Sequence, residues 1–201
     1  MIEKILKKTA LLVIDMQNGF CDDAGSVNAV GLPASRLRPA ISPCVKLVSA
    51  ARAGALPIIF TRYVYRRDYL DGGLMANELV PSLKNGQALI ANTWDSQIVD
   101  ELTPQEHDFI VDKNRPSSFY GTNLDGILKN LTVENLVVCG VTTNCCVETT
   151  VRDASQRDYR TFVVSDAVAE YEDDRHAVAL KSIDMLFGYV VSSDDVCKVW
   201  A

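Results

Sequence analysis

The chain alternates short, continuous apolar runs with longer stretches whose apolar residues recur at helical spacing. The runs are ALLVID (Ala10–Asp15), LPIIFT (Leu56–Thr61), DFIVDK (Asp108–Lys113), NLVVCGV (Asn135–Val141), RTFVVSD (Arg160–Asp166) and GYVVS (Gly188–Ser192). Such uninterrupted, β-branched runs predict strands buried on both faces, as in a parallel sheet. Helices are predicted over Ser35–Gly54, Thr122–Asn130, Asn144–Arg157 and Asp174–Phe187, the first stopped by its glycine. Strands alternating with helices make βαβ units. The expected fold is therefore a three-layer α/β/α sandwich around a six-stranded, mainly parallel sheet. The stretch from Tyr63 to Thr103 breaks the rhythm. It is long and carries Gly72, Gly73, Pro81 and Gly86, and long excursions on such folds commonly supply function or subunit contacts.

Ligands of open parallel sheets bind beyond the carboxyl ends of the strands. Those ends are Asp15, Thr61–Tyr65, Lys113, the Thr142–Cys146 turn and Asp166. Singly, an aspartate there reads as a cap, a lysine as a solvated end and a cysteine as a small apolar residue. Jointly, a carboxylate, an ammonium and a thiol would meet on one rim. A helix beginning near Thr143 or Asn144 would aim free N–H groups at a cysteine in its first turn, favouring thiolate. Lys113 would lower the thiol further, Asp15 would carry protons, and the turn amides would hold an oxyanion. This is the equipment for acyl transfer through a thioester. Spacing leaves open whether Cys145 or Cys146 is the nucleophile, and a vicinal disulfide or redox sensor is a further reading of the pair.

Composition narrows the classes. With 201 residues, 48% hydrophobic, residues 1–201 suit a single globular domain that can bury its own core. A net charge of −6 argues against a nucleic-acid partner. The Ala10–Ile14 run is too short for a signal peptide or a membrane span, so a cytoplasmic protein is expected. The six cysteines show no C-x-x-C spacing, hence no zinc cage or disulfide framework. With two histidines, His107 and His176, a His-rich metal site cannot be built. No G-x-G-x-x-G, G-x-x-x-x-G-K-[ST] or G-x-S-x-G occurs, which removes the usual signatures of dinucleotide, nucleoside triphosphate and serine hydrolase chemistry. No cofactor or metal is expected.

Three stretches, LLVIDMQNGF, VDKNRPSSFYGTNLDGIL and VVCGVTTNCCVETTVRDASQRDYRTFVVSDA, resemble in order and spacing the signature blocks of the isochorismatase-like cysteine hydrolases. The likeness runs from about residue 8 to residue 192. It implies a Rossmann-like strand order 3-2-1-4-5-6 or a close variant, and a catalytic triad of Asp15, Lys113 and Cys146. It also implies a cis peptide at Val141–Thr142 that turns the Thr142 and Cys146 amides into one oxyanion hole. Cys145 is left as packing or pocket wall, and a homodimer or homotetramer is expected.

Departures from the family pattern bear on the substrate. TRYVYRRDYLDGGL lacks the histidines with which the metal-dependent nicotinamidase branch binds its ion. Cys146 argues against the ether-cleaving isochorismatases, which generally lack the thiol. The stretch is more similar to the carbamoyl- and ureido-cleaving members, although Tyr63 and Pro116 stand where ureidoacrylate hydrolases carry other pocket residues. The expected activity is metal-independent cysteine amidohydrolysis of a small amide, ureido or carbamoyl compound. The alternatives are an isochorismatase-type ether hydrolase using Asp15 alone and a non-catalytic redox or binding module. Candidate pocket residues are Phe20, Tyr63, Tyr65, Trp94 and Phe119. Arg66 and Arg67 read as a solvated loop that could meet a substrate carboxylate.

Overall fold

The computed structural model describes residues 1–201. Six parallel strands, β1 (Thr9–Ile14), β2 (Ile58–Tyr63), β3 (Phe109–Lys113), β4 (Asn135–Val141), β5 (Arg160–Ala169) and β6 (Tyr189–Val191), form one sheet. Their order is β3-β2-β1-β4-β5-β6, the expected one. Because side chains alternate across a strand, the sheet divides two apolar layers. Leu12, Ile14, Ile59, Val138 and Val163 face the helices Leu124–Asn130 and Glu148–Ser155. Leu11, Val13, Phe60, Val137 and Phe162 face Ile41–Ala53 and Ser193–Trp200. No helix is long and apolar enough to cross a membrane.

Burial on both faces holds for the central strands β1 and β4 but not at the edges. On β3, Ile110 is 46% exposed and Asp112 lies in solvent, where it accepts two hydrogen bonds from Arg62 at 2.7 and 2.9 Å. β6 is only half-buried. An edge strand has one neighbour, and the covering helices do not reach past it. The helix expected over Ser35–Gly54 begins as two short 3₁₀ turns and becomes α-helical at Ile41. The C-terminal helix Ser193–Trp200, absent from the sequence expectation, is capped by the Ser192 side chain accepting from the Asp195 amide.

β5 outruns its predicted end. A register shift between Val138 and Gly140 inserts extra residues, and the strand continues to Ala169. Asp166 is therefore not a rim residue. Its carboxylate accepts from the Ser193 amide at 2.8 Å and from the Ser193 hydroxyl, holding the start of the C-terminal helix.

β1 and β4 converge tightly beneath the rim at Gly140, which pairs with Ile14 and has φ +115°. A Cβ there would lie 2.1 Å from the Ile14 carbonyl oxygen and 2.6 Å from its amide nitrogen, both backbone atoms that cannot step aside. Gly140→Ala is expected to destabilise the protein by about 3 kcal/mol or more, combining a strained φ with overpacking. Urea unfolding measures this, and a loss below about 1 kcal/mol would show that the two strands do not need the contact.

Candidate active site

The carboxyl ends of β1, β3 and β4 meet where the strand order reverses. Asp15 follows β1 with φ +52°, a left-handed conformation that aspartate tolerates better than most residues. Thr61 on β2 fixes it twice. The Thr61 hydroxyl accepts from the Asp15 amide at 3.2 Å and donates to Asp15 Oδ1 at 2.7 Å. Lys113 ends β3, and its Nζ lies 2.7 Å from Asp15 Oδ2, both side chains being fully buried. The same ammonium donates to Cys146 Sγ at 3.4 Å and to the Arg115 carbonyl at 3.2 Å, and it sits 4.3 Å from the centroid of the Tyr63 ring. A desolvated ammonium is thus surrounded by a carboxylate, a sulfur, a carbonyl and a π face.

The Val141–Thr142 peptide is cis. Thr143–Val147 then forms one π-helical turn that runs into the helix Glu148–Ser155. The turn's free N–H groups do not all face a ligand. Buried Glu170, just past β5, accepts from the Asn144 amide at 3.0 Å through Oε2 and from its neighbour Tyr171's amide at 2.9 Å through Oε1. Two further ties steady the site. The Gln17 side chain accepts from the Tyr63 amide at 2.6 Å and donates to the Tyr63 and Ser96 carbonyls at 3.0 and 3.1 Å, joining β1, β2 and the long excursion. Thr150 accepts from the Ser118 amide at 3.0 Å, docking the loop after Lys113 against the helix that follows the Cys146 turn.

Cys146, 5% exposed, opens onto a mostly apolar cavity of about 370 Å³ that is also lined by Thr142, Cys145, Tyr63 and Phe20. Tyr65, Trp94 and Phe119 do not line it, which corrects the sequence expectation for all three. Tyr65 is wholly buried behind Tyr63, its hydroxyl donating to the Tyr63 hydroxyl at 3.1 Å. Trp94 is 48% exposed and borders a separate hollow beside Asp22 and Arg38. Phe119 packs against Tyr159, ring centroids 6.0 Å apart, beneath the Arg157 guanidinium. Arg66 pairs with Asp68 in solvent, and neither Arg66 nor Arg67 reaches the cavity. Conversely, much of the wall escaped the sequence reading: Met75, Leu83 and Leu89 from the long excursion, and Glu170, Tyr171 and Arg175 after β5. The excursion was flagged by its length alone, and the residues after β5 were hidden by the strand's longer course.

The thiols do not titrate as the sequence suggested. A hydrogen bond between the two cysteines lowers Cys145, whereas that bond, then burial, raises Cys146 well above the ordinary thiol range against the pull of Lys113. The pull of Lys113 is weaker than these two causes. The single Lys113 cation is already matched by Asp15, so a Cys146 thiolate would leave the buried cluster with net negative charge. Burial lowers the Lys113 ammonium, but Asp15 and Cys146 together raise it above its ordinary value.

Three outcomes test this. Lys113→Ala should cost about 3–5 kcal/mol of unfolding free energy by stranding Asp15, and the Asp15→Asn/Lys113→Met double variant should cost less than the sum of its parts. Because the folded Lys113 titrates above its ordinary 10.5, its contribution is complete below that pH and is lost as the pH rises through the folded value. Denaturation midpoints independent of pH between about 9 and 12 would contradict the ion pair. Peptide mapping after iodoacetamide treatment should find Cys145 alkylated at lower pH than Cys146 in the free protein, and the reverse order would overturn the directions assigned to the two thiols.

Residues 9–195 match the isochorismatase domain family. The chain is 35% identical to a ureidoacrylate amidohydrolase RutB of Pseudomonas syringae pv. syringae, across 96% of this chain and 84% of that one. It is 34% identical to the RutB of Agrobacterium fabrum, across 96% and 90%. Among solved structures it is similar to a cysteine hydrolase from Pseudomonas syringae pv. phaseolicola, with TM-score 0.86, 33% identity, and 96% and 92% of the two chains covered. An N-carbamoylsarcosine amidase from Thermoplasma acidophilum gives TM-score 0.75 and 28% identity, with 92% and 96% covered. With the family match spanning nearly the whole chain and the sheet in the expected order, the protein belongs to the isochorismatase family.

Proposed function

We propose that the protein is a cysteine amidohydrolase that cleaves a C–N bond in a small amide, ureido or carbamoyl compound through a thioester on Cys146. The observation that carries this reading is the contact chain from Asp15 through Lys113 to Cys146 at the floor of the cavity. The amidohydrolase and amidase names of its relatives support the same reaction class.

In the resting site the Cys145 hydrogen bond and burial leave Cys146 a neutral thiol beside the Asp15 carboxylate that pairs with Lys113. A carbonyl seated against the Thr142 and Cys146 amides would receive the sulfur as the thiol proton passes to Asp15. The cluster then holds Lys113, a protonated Asp15 and an oxyanion stabilised by the two amides. Collapse expels the nitrogen leaving group, which takes the proton from Asp15, and leaves an acyl or carbamoyl thioester. Asp15, ionised again, draws a proton from water as the water attacks the thioester. The second tetrahedral intermediate then releases the acid and returns the proton to sulfur. Lys113 stays charged throughout and keeps the cluster from accumulating negative charge. Thr61 and Gln17 hold the framework, and Cys145 forms wall beside the nucleophile.

Ammonia release over a panel of ureido, carbamoyl and amide compounds tests the reading. Cys146→Ala should lower kcat/KM at least about 1,000-fold, while Cys145→Ala should change it less than about 10-fold. A mass adduct on Cys146 should appear after rapid quench. A Cys146→Ala enzyme that keeps most activity would instead favour ether hydrolysis through Asp15 alone. A folded wild-type protein that turns over no member of the panel would favour the binding-module alternative.

A further inference from the structure

The proposed reaction uses one thiol of an adjacent pair. Cys145 lines the same cavity as Cys146, is half-buried, and shares a hydrogen bond with the Cys146 thiol. The Lys113 ammonium stands beside them, 3.4 Å from Cys146 Sγ. No other cysteines share this setting. Cys44 and Cys139 also hydrogen-bond to each other, but both are fully buried in the layer on the far side of the sheet. Cys21 lies in that layer too, its thiol pushed up to about 12, chiefly by burial. Cys197 belongs to the C-terminal helix on the same far side. Cys145 and Cys146 are thus the two sulfurs that a small molecule entering the cavity would meet together.

The pair is chemically asymmetric. The hydrogen bond from Cys146, with Lys113 adding, favours thiolate at Cys145 against the effect of burial, whereas Cys146 stays a thiol. The thiolate is the form that peroxides oxidise. The hydrogen bond also sets a second sulfur next to the first, so an oxidised Cys145 already has a thiol at hand to resolve it. Neighbouring Cα atoms stand about 3.8 Å apart across a trans peptide, closer than the roughly 4.4–6.8 Å of ordinary disulfides. A bridge between them would be readily opened by thiols, which suits a reversible modification and not a structural staple. It would also take the Cys146 sulfur out of the thiol form that attacks a carbonyl.

We propose that Cys145 and Cys146 form a peroxide-reactive dithiol site, in which Cys145 is oxidised first and Cys146 closes a vicinal disulfide that silences the site until a thiol reopens it. The Cys145 thiolate attacks hydrogen peroxide: an S–O bond forms, the O–O bond breaks and hydroxide leaves. The Cys146 sulfur then attacks the Cys145 sulfenic sulfur. An S–S bond forms, the S–O bond breaks, and the hydroxyl departs with the Cys146 proton as water. Peroxide is reduced and the thiol pair oxidised by the same two electrons. The bridge stands apart from the amidohydrolase reading, and its effect on turnover rests on it. Mass mapping of the native protein, after brief hydrogen peroxide treatment and alkylation, should find the peptide holding both cysteines lighter by two hydrogens and unalkylated. Cys44 and Cys139 should remain reduced, and dithiothreitol should return Cys145 and Cys146 to alkylatable thiols. Ammonia release should be lost with the bridge and regained with dithiothreitol. Cys146→Ser, whose hydroxyl can still donate to Cys145, should stop at the sulfenic acid and give a dimedone adduct on Cys145. Cys145→Ser should lose its own starting activity several-fold more slowly than the wild type under the same peroxide. Sulfinic acid on Cys146 without a bridge in the wild type, no dimedone adduct on Cys145 in Cys146→Ser, or equally fast loss in Cys145→Ser would overturn the proposal. A bridge in a protein that turns over no member of the panel would leave the dithiol site standing and remove the amidohydrolase. Turnover that survives peroxide with both thiols still free would do the opposite.

Discussion

One buried positive charge organises this molecule. Lys113 has no solvent around its ammonium, and burying such a group unpaired would cost several kcal/mol. Everything near it supplies compensation: the Asp15 carboxylate, the Arg115 carbonyl, the Cys146 sulfur and the Tyr63 ring. These partners come from the ends of β1 and β2, from the turn after β4 and from the loop after β3. The pairing can form only if the sheet is in register, so fold and site are specified together. The left-handed backbone at Asp15, the Thr61 hydroxyl and the bare Cα of Gly140 all serve that convergence. In the proposed reaction Asp15 and Cys146 would pass one proton between them beside that fixed charge.

The Asp15–Lys113–Cys146 cluster and the cavity wall have different structural origins. Asp15, Lys113 and Cys146 sit on or beside strand ends, where backbone hydrogen bonds limit drift. The wall is assembled from the excursion after β2 and from the segment after β5. Tyr63 belongs to both. Its ring lies against Lys113, the residue lines the cavity, and its hydroxyl is spent on the Asn114 carbonyl at 3.2 Å. It therefore offers a substrate shape and polarisability rather than a hydrogen bond.

Much of this was legible in the sequence because buried parallel strands advertise themselves. The six runs and the rule that ligands gather beyond strand ends led to Asp15, Lys113 and the cysteine pair, and resemblance chose between the thiols. Legibility failed where tertiary context decides. An edge strand such as β3 looks like a central one until its neighbours are counted. The irregular pairing of β5 moved its end from Asp166 to Ala169, which hid Glu170, Tyr171 and Arg175. Aromatic residues near strand ends point either way, and Tyr65, Trp94 and Phe119 turned into core, surface and a stacked pair. The sequence reading weighed the pull of Lys113 on Cys146 but could not see the burial and the neighbouring Cys145 that push the thiol the other way.

The sheet also acts as a partition. The cavity opens on the side of Leu124–Asn130 and Glu148–Ser155, where Tyr63, Leu89 and Cys146 join one apolar cluster. The layer formed by Ile41–Ala53 and Ser193–Trp200 packs on the reverse side around Leu47, Phe60 and Val196. That reverse layer answers chiefly to volume and shape at its centre, but at the rim Met16, Val141 and Ala169 belong to it and the cavity residues Phe20 and Tyr171 pack against it. An engineer seeking heat resistance, or a lineage accumulating neutral change, has a territory around Leu47, Phe60 and Val196, away from that rim, in which the interior can be rebuilt without touching the cavity wall.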